Sequence, residues 1–117
     1  MASRPYHKSF TLTNSSAELS TGISALETLQ ISNAFVVNTS ASAITVNLNS
    51  AYDGGTAATG NIVEVDKAID AKATVGSALT GAVLNTGEKL YGYASTTGVA
   101  VLHVHGIVSA HSARTYA

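Results

Sequence analysis

Residues 81–108, GAVLNTGEKLYGYASTTGVAVLHVHGIV, decide how this chain is read. Leu90, Gly92 and Ala94 alternate with Tyr91, Tyr93 and Ser95, the period of two that a pleated strand requires. Thr96-Thr97-Gly98 then supplies a turn, with Gly98 free to take a positive φ. The return strand alternates again: Val99, Val101, His103 and His105 on one side, Ala100, Leu102, Val104 and Gly106 on the other. The expectation is a β-hairpin against which the upstream chain packs.

Working outward, residues 28–38 and 43–49 read as a second hairpin around a polar turn at residues 39–42. Its second arm sets Ile44, Val46 and Leu48 against Thr45, Asn47 and Asn49, one face for a core and one for water or a partner. The first arm is apolar on both faces around Phe35-Val36-Val37, as a central strand is. Residues 14–29 are ambiguous. Ser15-Ser16-Ala17-Glu18 fits a capping box and Leu19, Ile23 and Leu26 fall at helical spacing, but Thr21, Gly22 and Ser24 are poor helix formers. A strand at residues 17–20, a turn at Thr21-Gly22 and extended chain from near Ala25 fit better.

A loop at residues 51–60 turns at Asp53-Gly54-Gly55, and a strand follows at residues 61–65. The charged residues 66–72 suit a sheet edge, where lysine discourages edge-to-edge pairing. Residues 74–84 hold one or two strands, interrupted by Gly76 and Gly81. The whole predicts an all-β fold, an antiparallel β-sandwich or barrel of jelly-roll-like type with about seven or eight short strands. It divides into an N-terminal arm (1–8), a β-sandwich domain (9–110) whose first strand is SFTLT at residues 9–13, and a C-terminal tail (111–117). Within the arm, Pro5 favours extended backbone at Arg4, and the arm is either disordered or, with Tyr6 as an aromatic anchor, laid across a neighbouring subunit.

At 117 residues the chain makes one domain. It has no cysteine, so neither a disulfide framework nor thiol chemistry is open to it. Charged residues make up 11%, less than half of the ~25% usual for a soluble domain. Ser, Thr, Asn and Gly take their place, a composition common where outer faces are buried against copies or partners, though a robust secreted β-sandwich shares it. A net charge of −1 without a basic cluster gives counterion release little to work with, so nucleic acid is not an expected partner. The N-terminus lacks an apolar run of signal-peptide length and nothing approaches a membrane span, so neither export nor a membrane partner is expected.

Chemistry is sparse. His103 and His105 stand two apart on one strand face, their bases about 7 Å apart, which suits a transition metal or a ring of imidazoles about a three-fold axis. The pattern resembles the HxH strand that holds iron in trimeric spike tips of contractile tails. No acidic or cysteine ligand lies nearby in sequence, so the plainer reading is a polar outer face, with no cofactor and no metal requirement. His7 and His111 fall in the terminal segments and add little. No serine sits in a GxSxG elbow, and Glu64 with Asp66 suits a solvated strand face better than acid–base work. Gly54-Gly55 lacks the lysine and strand–helix context of a phosphate loop. Tyr91 and Tyr93 share a face that fits a protein interface or, with Tyr52-Asp53, a sugar platform.

Ile31 and Asn33 with Val37-Asn38-Thr39-Ser40, followed by Ile44-Thr45-Val46-Asn47-Leu48, resemble the opening of small tailed-bacteriophage virion proteins. The later run from Val83 to Leu90, with Ala94-Ser95 and a closing valine-rich strand, is similar to their second segment, although Glu88 stands where the pattern often has Asp. The resemblance covers residues 27–108. It implies a non-catalytic β-sandwich of the virion, most often a capsid decoration (cement) protein that forms homotrimers on the major capsid protein. Head fibres and neck or tail components belong to the same loose group, which supplies no functional residues to carry over. On that footing the expected location is the virion, after synthesis in the bacterial cytoplasm, and the expected interface residues are Tyr6, Tyr91 and Tyr93. A carbohydrate-binding β-sandwich is the rival from another class.

Overall fold

The computed structural model describes residues 3–24, 26–51, 55–85 and 87–110, with Thr59 described by its backbone alone. The expected turn at Asp53-Gly54, the Tyr52-Asp53 sugar platform, His111 and the C-terminal tail lie outside them. Among the described residues nine strands form: β1 (Ser3–Thr11), β2 (Ala17–Leu19), β3 (Glu27–Asn38), β4 (Ile44–Ala51), β5 (Ile62–Ile69), β6 (Thr74–Gly76), β7 (Val83–Leu84), β8 (Lys89–Ala94) and β9 (Ala100–Ala110). One 3-10 turn, Thr59–Asn61, precedes β5.

Two antiparallel sheets result, ordered β1-β9-β3-β6 with β7 also on β3, and β2-β8-β4-β5. We call them sheet A and sheet B. The chain behaves as one long hairpin rolled on itself. Its first half, β1 to β4, pairs in reverse order with its second, so that β1 lies on β9, β2 on β8, β3 on β7 and β6, and β4 on β5. That is jelly-roll order, which an all-β chain uses to cover two sheets with each other.

Both expected hairpins are corrected by this topology. β8 and β9 lie in different sheets, as do β3 and β4. The segments between them are arches across the core. Alternation reports only which face of a strand is buried, and a hairpin within one sheet buries the same faces as an arch between two. Ala100, Leu102 and Val104 on β9 and Leu90 and Ala94 on β8 do point into one shared core, as their periodicity required. Gly98 holds φ at 83° within the second arch, where its N–H donates to Leu12 O at 3.0 Å.

The first arch is built around Asn38, which is fully buried. Its Nδ2 lies 2.8, 3.2 and 3.1 Å from the carbonyls of Ser42, Ile69 and Asp70. Its Oδ1 accepts from Ser40 N and Oγ at 3.0 and 2.8 Å. One side chain thus satisfies a turn buried too deeply for water to do so.

The N-terminal arm is also corrected. Residues 3–8 belong to β1, which pairs without interruption with β9 from Ser3↔Ser109 to Thr11↔Val101. Polar composition hid the strand because β1 is a sheet edge: only Tyr6 and Phe10 turn into the core. The helical alternative for residues 14–29 does not form. β2 ends at Leu19, Gly22 turns at φ 78°, and β3 begins at Glu27.

Candidate functional site

On β9 the odd-numbered side chains from Val101 to Ser109 point away from the core, as do Pro5, His7, Ser9 and Thr11 on β1 and Asn33, Phe35 and Val37 on β3. Ser3 of β1, Thr28 and Gln30 of β3, Thr74 and Gly76 of β6 and Val83 of β7 also belong to this outer face of sheet A. None of these residues is Asp, Glu, Lys or Arg. The flanking cations are held elsewhere: Arg4 Nη2 pairs with Glu27 at 3.2 Å, and Lys8 Nζ donates to the Ser20 carbonyl on the sandwich rim.

At the centre of the face four rings lie nearly parallel. Register places His7 opposite His105 and His103 opposite Phe35. Ring centroids are 4.1 Å apart for His7–His105 and 4.9 Å for Phe35–His103; the diagonals His7–His103 and Phe35–His105 are 6.0 and 5.8 Å. The stack follows from backbone geometry. Leu12 N donates to Ala100 O, so in this unbroken ladder the even-numbered β1 residues exchange hydrogen bonds with β9. His7–His105 and Ser9–His103 are then the non-hydrogen-bonded pairs, where side chains approach most closely. Ser9 Oγ and His103 Nδ1 are hydrogen-bonded at 3.1 Å. Burial, then the neighbouring His7 and His105, push the His103 imidazole below its ordinary pKa.

His103 and His105 therefore do share a face, and His7, set aside with the arm, joins them. Stacked parallel rings do not converge their nitrogens on one point. Among the described residues no group of three His, Cys, Asp or Glu side chains is arranged to hold a metal ion.

The tyrosines separate. Tyr6 is no exposed anchor: it lies in the core at 9% exposure, and its hydroxyl donates to Thr21 O at 2.6 Å. Burial raises its pKa to about 12, against the opposing pull of Arg4. Tyr91 and Tyr93 do lie side by side, half-buried on the outer face of sheet B opposite Asn49 and Asn47. Tyr91 Oη reaches Gly55 O at 3.4 Å.

Glu64 and Asp66 do not act together. Glu64 receives Ala78 N at 3.3 Å and lies 3.9 Å from Lys67, whereas Asp66 sits at φ 44° in a β5 bulge. There Asn47 accepts from its N–H at 2.9 Å and donates to its carboxylate at 3.2 Å. A cavity of about 310 Å³ opens between β2 and β8, lined by Glu18, Thr21, Ser24, Glu88 and Lys89 among others. No histidine or cysteine lines it, and Glu18 and Lys89 pair across it at 3.6 Å.

Fold and face together define a jelly-roll β-sandwich with one charge-free outer surface. No protein-family model matches the chain, and no curated protein does. Among solved structures it is similar to a chain from Bacillus endospore appendages, described as a family of disulfide-linked pili. That match has 14% identity and a TM-score of 0.52, over 95% of this chain and 88% of the other. It is also similar to a chain of infectious bursal disease virus, Gx strain, at 16% identity over 97% of this chain but 34% of the other; a TM-score of 0.43 gives that match no weight. The first likeness shows the fold. No helix among the described residues is long and apolar enough to cross a membrane.

Proposed function

We propose that this chain is a non-catalytic structural subunit that works in many copies, burying the outer face of sheet A against neighbouring copies of itself. The absence of Asp, Glu, Lys and Arg from the described residues of that face carries the reading. Burying an unpaired charge costs several kcal/mol, and such faces packed among neighbouring copies bury none. The sheet edges favour face contact over strand addition. β2 and β6 are three residues long, β5 is bulged, and Pro5 falls at a β1 position whose amide would point outward.

The particular assembly we propose is a tailed-phage particle, with the chain decorating the head as a homotrimer seated on the major capsid protein. The sequence resemblance over residues 27–108 supports it. Fold-level similarity to a pilus chain supports the broader class, structural subunits of extracellular assemblies. A disulfide-linked arrangement is closed to this chain because it has no cysteine. Copy number in purified particles tests the placement. A count comparable to that of the major capsid protein is expected for decoration, and a count fitting one ring would move the chain to the neck or tail.

A further inference from the structure

We infer that the stacked imidazoles of His7, His103 and His105 make the seam between β1 and β9 a proton sensor, which loosens the edge strand β1 when the surroundings turn acidic. The geometry is that of a charge trap. Across the seam the His7 ring lies 4.1 Å from that of His105 and 6.0 Å from that of His103. The groups that face them are Pro5, Ser9 and Thr11 from β1, Val101 and Ile107 from β9, Asn33, Phe35 and Val37 from β3, and Thr74 and Gly76 from β6. None is a carboxylate. The nearest fixed charges on β1, Arg4 and Lys8, are cations already engaged with Glu27 and the Ser20 carbonyl.

Neutral imidazoles stack on each other and on Phe35 without penalty. A proton on one makes a second costly, because like charges in contact disfavour the charged form. Opening the seam separates His7 from His103 and His105 and returns the rings to water, where histidine titrates near ~6.5. The open state thus binds more protons than the closed one, and the closed state loses stability as pH falls through that value. The lowered pKa of His103 has the same sign. Opening of β1 should grow by up to about tenfold per pH unit for each extra proton the open state takes up.

Hydrogen exchange of the full chain, read as protection factors at pH 7.5 and 5.5, tests this. Protection of β1 amides is expected to fall further than that of β4 and β8 amides in sheet B, by up to about tenfold for each histidine that the closed seam keeps neutral. His7→Phe, which keeps a stacked ring but removes one titrating group, should reduce that difference. An equal fall in both sheets, or a β1-specific fall unchanged in His7→Phe, would overturn the proposal. Proton NMR titration of the unmutated chain gives an answer that needs no variant. His103 titrating below free histidine is expected, and titration at or above it would equally overturn the sensor.

Discussion

The two outer faces of the sandwich solve the same problem in opposite ways. Sheet B covers itself. Residues 55–61 fold back so that Asn49 Nδ2 donates to Ala58 O and Asn61 Oδ1 at 3.0 and 2.8 Å, and Asn47 clasps Asp66 at the β5 bulge. Its ions are paired at the surface, Glu18 with Lys89. Among the described residues the outer face of sheet A carries no Asp, Glu, Lys or Arg; rings and small polar groups stand there partly exposed. A face whose polar groups are already satisfied by its own chain gains little from a partner. An uncovered face that costs no charge desolvation gains more, which is why sheet A carries the proposed contact.

The largest effect expected from any single change would come at Gly106, which holds sheet A together. A Cβ there would lie 2.1 Å from Gln30 O, beside the bulge between Ile31 and Asn33. Backbone cannot yield as a side-chain tip can, so Gly106→Ala should lower unfolding free energy by about 3 kcal/mol or more in urea denaturation. Asn38→Ala comes next. It strips the first arch of its buried partners and should cost about 2–3 kcal/mol by the same measurement.

Phe35→Lys sharpens the contrast between the faces. Phe35 is only half-buried on the monomer, so thermal denaturation should show a loss within about 1 kcal/mol, whereas association should be abolished by the charge placed in the contact. The smallest effect belongs to sheet B, where Lys89→Ala removes an exposed ion pair and should shift stability by less than about 0.5 kcal/mol without changing association.

Strand positions were legible because burial leaves a period of two. Leu90, Ala94, Leu102 and Val104 wrote their own orientation, and so did Ile44, Val46 and Leu48. Pairing was not legible, since a five-residue arch at residues 95–99 carries the same turn chemistry as a hairpin loop. β1 was hidden because an edge strand needs only every fourth residue in the core, here Tyr6 and Phe10. The site was half legible. The spacing of His103 and His105 put them on one face, but His7 lies nearly a hundred residues away and joins them only through the β1–β9 register. Nothing local announced Asn38 either, for its partners Ile69 and Asp70 come from the far end of β5.

The central claim is that the outer face of sheet A, and not that of sheet B, is the contact surface. Sedimentation equilibrium at neutral pH on the native chain, Phe35→Lys and Tyr93→Lys tests it most directly, because each variant places one lysine on one outer face. The account predicts that the native chain and Tyr93→Lys associate alike and that Phe35→Lys stays monomeric. Association of Phe35→Lys at native strength, or its loss in Tyr93→Lys alone, would contradict it.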